Sequence, residues 1–356
     1  MSVPIRRLRI PSPPSLLGGG RLKTLNIAYR TWGRLNPEGD NAVLVCPALT
    51  GDSDLEHWWP ALLGPGRALD PERDFIICAD VLGGSGRTTG PGSPGADGDP
   101  LGQRFPTITV RDMVQVQGLL LDRLGVDRLR LVIGGSLGGM QVLEWLVMAN
   151  ERIDAAVVIA AAARQSPWAR AFNHIQRRAL AQHGDLELAR MVAMLSYRHW
   201  DNLDSRFDQP DTDPHPAEDW LDHHGLALKS RFDPVSYQRL MAAMDSHDVG
   251  RGRGGWRAAL SAVRVPVQLI GIRSDLLYPP RDQQRLAEAL PEAWLDWLDA
   301  DQGHDAFLIE QARLNRMVTD FRHSLILPRN RLVSAGGMEI SDKWETKLSV
   351  RLDVRT

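Results

Sequence analysis

At 356 residues, with 43% apolar and 24% charged side chains, the chain can bury a large core, in one big domain or in one domain with an insertion. A formal net charge of −2 excludes the basic footprint of a nucleic-acid binder. Two cysteines, Cys46 and Cys78, are too few for a disulfide framework and read as buried free thiols inside apolar runs, and no run approaches the ~18 apolar residues that span a bilayer.

Residues 1–22 are basic, rich in Pro and Gly, and lack the continuous apolar core of a signal peptide, so a cytoplasmic protein is expected. Residues 25–33 alternate like a half-buried strand, and 36–40 read as a turn. Residues 42–46 form a short, fully apolar strand of the kind buried on both faces of a parallel sheet. It runs into a loop, Pro47-Ala48-Leu49-Thr50-Gly51-Asp52. A second buried strand follows at 74–80, then a loop dense in Gly, Pro, Ser and Thr at 83–99. Residues 110–124 have helical period, with Asp112 near the start. The apolar run 129–133 leads into Gly134-Gly135-Ser136-Leu137-Gly138-Gly139, and a helical pattern at 140–146 leads out. Further apolar strands are expected at 154–162, 266–272 and 293–298. Strands alternating with helical segments imply a mostly parallel, doubly wound α/β sheet.

One interval breaks that rhythm. Between residues 164 and 264 there is no buried strand, only helical patterns at 168–182, 186–197, 219–228 and 234–244. A helical excursion between two sheet strands reads as a lid inserted over the active site. The expected division is therefore a core in two parts, 1–163 and 265–327, a lid over 164–264, and a polar tail over 328–356. Weak alternation at 347–352 leaves that tail open to disorder or to an added edge element.

Strand, G-x-S-x-G, helix is the nucleophile-elbow signature of the α/β-hydrolase fold. The serine occupies a sharp, strained turn that brings strand and helix so close that flanking side chains would collide. Gly134 and Gly138 remove those side chains, and the Ser136 hydroxyl projects above the sheet. In this fold the triad runs Ser, then acid, then His along the chain. Asp275 follows the 266–272 strand, and His304 follows the 293–298 strand in Gly303-His304-Asp305. Both lie at strand carboxyl ends, where open α/β sheets place their chemistry. His304 would take the proton of Ser136, and Asp275 would hold the imidazole in the needed tautomer. Asp301 is the runner-up acid, but it sits too close in sequence to His304. An oxyanion hole needs two amide donors. Leu137, the residue after the nucleophile, supplies one, and the loop after strand 42–46 supplies the other, with Leu49 the best candidate and Ala48 next.

These residues carry a resemblance. Ala48-Leu49-Thr50-Gly51-Asp52, Thr88-Thr89-Gly90-Pro91, Gly135-Ser136-Leu137-Gly138-Gly139-Met140-Gln141, Ala171-Phe172-Asn173, Gln176-Arg177, Asp245-Ser246-His247-Asp248-Val249-Gly250-Arg251-Gly252 and Gly303-His304-Asp305-Ala306-Phe307-Leu308 span most of the chain. With them the chain resembles the homoserine O-acyltransferases of the α/β-hydrolase superfamily, chiefly the acetyl-transferring members of methionine biosynthesis. The resemblance implies a triad of Ser136, Asp275 and His304, a grip on homoserine by Arg177 and Asp305 with Tyr197 nearby, and a homodimer. It implies no cofactor, acetyl-CoA being a co-substrate, and no metal or membrane partner. A guanidinium suits the carboxylate of homoserine, and a carboxylate beside the catalytic histidine suits its ammonium. Asp248 sits in a Gly- and Arg-rich loop that suits turn architecture better than catalysis.

The acyl donor hangs on two positions. Succinyl-using relatives carry an arginine two residues after the triad acid, where this chain has Leu277, which favours acetyl. Arg87 could host a succinyl carboxylate if it points inward, and is a surface or CoA-phosphate contact if it points outward. Pro47 replaces a histidine often found at the start of the hole-forming loop. Three alternatives stay open at this level: succinyl transfer or serine as acceptor, a plain esterase, and a scaffold without chemistry.

Overall fold

A computed structural model describes residues 3–208 and 215–326; the tail expected over 328–356 lies outside the described residues. Eight strands form one sheet: β1 (Arg6–Pro11), β2 (Thr24–Trp32), β3 (Ala42–Cys46), β4 (Phe75–Ala79), β5 (Leu129–Gly135), β6 (Ala156–Ile159), β7 (Val267–Ile272) and β8 (Ala293–Leu298). Their spatial order is β1-β2-β4-β3-β5-β6-β7-β8. The β1–β2 and β2–β4 pairs are antiparallel, and all pairs from β4 to β8 are parallel.

The central strands are buried on both faces, and their alternation sorts two cores. Leu44, Cys46, Val132 and Val158 face one side with the helices Val110–Leu124 and Leu137–Met148. Val43, Val45, Ile133 and Val157 face the other with Trp59 and the helix Gln311–Ile326. Helix Val110–Leu124 starts where the sequence requires: Thr109 and Asp112 form a reciprocal capping box, and Gly125 ends it in the left-handed region. The loop expected at 83–99 also closes the sheet. Thr88 and Thr89 accept from the amides of Ala28 and Asn26 at 2.9 and 2.8 Å, along a stretch of β2 that β4 does not reach.

Chain order places the site. From β3 the path steps one way to β4, then returns to β5 and continues to β8. The β3/β5 boundary is thus a topological switch point, and a crevice opens there at the strand carboxyl ends. Between β6 and β7 lie the helices Pro167–His183, Leu186–Tyr197, Trp200–Phe207, Pro216–Lys229 and Pro234–Ser246, then a short helix, Trp256–Ser261.

Several elements escape the sequence pattern, helices Leu55–Trp58 and Pro280–Ala289 among them. Strand β1 is an edge with the burial of only Ile10 to mark it, and its arginines blunt the edge against pairing with other chains. Helix Trp200–Phe207 has no buried residue, although Trp200, Leu203 and Phe207 recur at helical spacing. Trp256–Ser261 buries only Ala259 and Leu260.

The elbow is the tightest crossing in this region. A Cβ at Gly134 would lie 2.5 Å from the Gly138 carbonyl carbon, and one at Gly138 would lie 2.1 Å from the Cys46 carbonyl oxygen. Neither neighbour is a side chain that can swing away. Gly138→Ala is therefore expected to cost about 3 kcal/mol, read as a lowered midpoint in denaturant. Gly118 offers the contrast: it sits inside helix Val110–Leu124 at ordinary φ, with the Trp145 ring 3.9 Å from an added Cβ. Gly118→Ala is expected to stabilise by roughly 0.5–1 kcal/mol in the same assay.

Candidate active site

Ser136 stands between β5 and helix Leu137–Met148 at φ 56° and ψ −120°. A positive φ at a non-glycine residue is strained, and such strain persists only where the surroundings over-determine it. Here the Ser136 amide donates to Ile159 of β6 at 3.0 Å, and the glycine crossing fixes the other side.

Asp275 lies in the turn after β7. Its Oδ1 accepts from the amides of Leu277 and Tyr278 at 2.7 and 2.9 Å. That leaves Oδ2 for His304, whose Nδ1 lies 2.7 Å away, on the turn after β8. A carboxylate only accepts, so Nδ1 carries the proton, and in the neutral ring Nε2 accepts from the Ser136 hydroxyl at 2.9 Å. Ser136, Asp275 and His304 are 6%, 1% and 2% exposed, so this line of hydrogen bonds is nearly cut off from bulk water and correspondingly strong. The rings of Tyr197, Tyr278 and Phe307 surround the imidazole, with centroids 5.5, 5.3 and 5.6 Å from its own.

Burial disfavours the His304 imidazolium, but the charge and hydrogen bond of Asp275 and the charge of Asp305 outweigh it, and the pKa is raised. The amides of Leu137 and Leu49 donate to no described residue. Both belong to the crevice at the ends of β5 and β3, and free donors there suit a developing oxyanion.

The comparisons with known proteins agree with this geometry. The family model of the alpha/beta hydrolase fold matches residues 41–311. A homoserine O-acetyltransferase of Trichormus variabilis is 45% identical over 337 residues, covering 89% of this chain and 94% of that protein. The chain belongs to the homoserine O-acetyltransferase family, within the α/β-hydrolase fold. The crystal structure of homoserine O-acetyltransferase from Staphylococcus aureus superposes with a TM-score of 0.78 at 28% identity, covering 92% of this chain and 97% of that one. Esterase E22 superposes at 0.84 with 22% identity, over 90% of this chain and all of that one, a likeness of fold alone.

The residues expected to hold the amino acid lie on the helices between β6 and β7 and on the turn after β8. Arg177 pairs with Asp245, whose other oxygen accepts from Asn173 at 2.8 Å, and these contacts join helices Pro167–His183 and Pro234–Ser246. Asp245 is buried, and Arg177 stays partly exposed beside it. Two cations lie against the residues that flank His304: Arg198 pairs with Asp305, and Arg190 faces Tyr197. The Arg190 guanidinium lies 5.5 Å from the centre of the Tyr197 ring, and it makes no ion pair among the described residues. Helical spacing could have found it: Arg190 and Tyr197 are two turns apart on one face of helix Leu186–Tyr197.

Tyr197 stacks beside His304, and burial raises its pKa, with Arg190 pulling the other way. Asp305 lies one residue past His304, with Arg198 at 3.4 Å. The rival residues go elsewhere. Asp301 is exposed and accepts from Asn202, and Asp248 accepts from the amide of Gly250 in a tight turn. His247 is buried with its Nε2 3.1 Å from the Ala162 carbonyl, and burial pushes its pKa down to about 3. Arg87 is exposed, its amide held by Asp80, and Leu277 is buried. Cys46 and Cys78 are buried free thiols, and burial raises both pKa values.

A base must be neutral to take the Ser136 proton. With the His304 pKa raised, activity is lost as pH falls through a value above the ordinary 6.5. Asp305→Asn removes one of the charges that raise it, so the acidic limb of the kcat/KM profile for the acyl donor is expected to move to lower pH. A limb that stays in place would separate Asp305 from the histidine.

Proposed function

We propose that this protein transfers an acetyl group from acetyl-CoA to the hydroxyl of L-homoserine, with Ser136 as the temporary carrier. The observation that carries the reading is the buried Ser136–His304–Asp275 line with an unpaired Arg190 on one side of Tyr197 and Asp305 beside His304. Two opposite charges flanking a nucleophile match an amino acid better than they match a plain ester. The relatives named above support the same acceptor.

His304 Nε2 takes the hydroxyl proton as Ser136 Oγ attacks the thioester carbon. The oxyanion accepts from the amides of Leu137 and Leu49. The C–S bond breaks, the thiolate leaves with the proton from His304, and an acetyl-serine stands in its place. Homoserine then enters, its carboxylate on an arginine of the helices between β6 and β7, Arg177 or Arg190, and its ammonium on Asp305. His304 accepts its hydroxyl proton, the new oxygen attacks the acetyl carbon, and collapse returns the proton to Ser136. No metal or resident cofactor enters this sequence of steps. Burial of the three side chains supports exclusion of water, which would otherwise hydrolyse the acetyl-serine.

Acetyl is favoured as the acyl group. A succinyl tail would bring a second carboxylate beside buried Leu277, where desolvation without a partner is costly, and exposed Arg87 points away from that role.

Mass spectrometry of the intact protein tests this. Acetyl-CoA alone should add one acetyl group, homoserine should remove it, and Ser136→Ala should gain none. A succinyl adduct alone, or rapid loss to water, would overturn the donor or the acceptor. Arg190→Leu should keep the acetylation step and raise KM for homoserine about 10–100-fold, the worth of hydrogen bonds to a charge. Arg177→Leu should lower thermal stability and change that KM far less.

A cytoplasmic homodimer completes the proposal. The helices between β6 and β7 expose Trp168, Ile175, Leu195 and Trp200, an apolar surface of the kind that oligomers cover. Sedimentation equilibrium should give about twice the chain mass of 39.6 kDa.

A further inference from the structure

A polar network lies beneath the active site, outside the triad. Gln141, one turn past the nucleophile, is fully buried. Its Nε2 has two hydrogens and two acceptors: the Pro47 carbonyl at 3.0 Å and the Leu137 carbonyl at 3.2 Å. Its Oε1 accepts from Gln117 Nε2 at 2.7 Å, and Gln117 Oε1 accepts from Trp145 Nε1 at 2.7 Å. The Cys46 thiol faces the same oxygen at 3.8 Å. Every polar atom of Gln141 has a partner, in a core where an unpaired amide would be costly.

The two carbonyls belong to the two segments that carry the free amides. Leu137 opens the helix after the elbow. Pro47 opens the loop that carries Leu49, in a turn closed by the Gly51 amide on the Ala48 carbonyl at 3.1 Å. Pro47 has no amide hydrogen and no polar side chain, so its carbonyl is its one polar handle. A single side chain therefore ties the end of β3 to the start of the elbow helix. We propose that Gln141 is a positioning residue of the oxyanion hole: by strapping Pro47 to Leu137 it sets the spacing of the Leu49 and Leu137 amides. It touches no reacting atom. Donors in such a hole work only when held at the place where negative charge appears, and a loosened donor loses much of its effect.

The inference rests on the acetyl-serine reading, and the test separates the two. Acetyl-CoA labelled with carbon-13 at the carbonyl is mixed with the full-length protein without homoserine. The infrared difference between labelled and unlabelled samples isolates the acyl-serine carbonyl band, whose frequency falls as the hole grips it. Gln141→Met keeps the side-chain length and removes the strap. Its band should move to higher wavenumber, and the acetylation rate should fall about 10–100-fold, with KM for homoserine little changed. Val142→Ala, a buried neighbour on the same helix, should lower thermal stability while leaving the band in place. Gln141→Asn, which keeps the amide one carbon short, should move the band in the same direction as Gln141→Met. A band unmoved in both Gln141 variants, or moved equally by Val142→Ala, would overturn the positioning role. Failure of both Gln141 variants to fold while Val142→Ala folds would do the same and leave Gln141 a stabilising residue only. No acyl band in the unaltered protein would overturn the acetyl-serine reading itself, and this inference with it.

Discussion

The contact on which this architecture depends is between two pieces of backbone. Helix Leu137–Met148 crosses the end of β3 so closely that Gly138 leaves no room for a Cβ against the Cys46 carbonyl. That crossing forces the turn at Ser136 into a conformation a serine would not choose, and it lifts the hydroxyl clear of the sheet. It also brings the loop after β3 to the first turn of the helix. The Ser136 turn and the free amides of Leu137 and Leu49 are thus consequences of one packing event, and the Gln141 network lies in the seam that event creates.

Charge pairing organises the rest. Asp275 is almost fully buried and is stabilised by two amides and an imidazole, which fixes the tautomer of His304. Asp245, also buried, takes Arg177 and stitches two helices of the insertion together. Around the histidine, Asp305 adds its charge and is itself paired with Arg198, and Arg190 lies against the Tyr197 ring. The two differ in kind: Arg190 makes no ion pair among the described residues, while Asp305 already has Arg198 at 3.4 Å.

An acyl carrier must be accessible to its second substrate and shielded from water. The helices between β6 and β7 reconcile these needs. They bring Tyr197 over the imidazole and Arg190 beside it, while the Trp168 indole reaches across to the Leu276 carbonyl at 2.5 Å next to the acid-bearing turn. An esterase with the same sheet and elbow lacks nothing in its nucleophile. The difference between hydrolysis and transfer lies in what surrounds the acyl group.

Much of this was legible in the chain itself. A strand whose residues are buried on both faces must be apolar throughout, so β3 to β7 stand out, and a turn that admits no side chain must carry glycine, so the elbow stands out too. Chain order then singles out Asp275 and His304, because a doubly wound sheet delivers successive loops to one edge in sequence. Edge strand β1 was not legible, since almost nothing in it is buried and burial is what writes the pattern. Nor could the chain tell Arg177 from Arg190. Both are arginines on amphipathic helices, and which one is consumed by a buried carboxylate depends on Asp245, far away in sequence and close only after folding. Local pattern determined the frame and the triad, because steric and hydrophobic rules act through neighbours along the chain. Tertiary structure decided which charges pair, because electrostatic pairing is settled by distance in space.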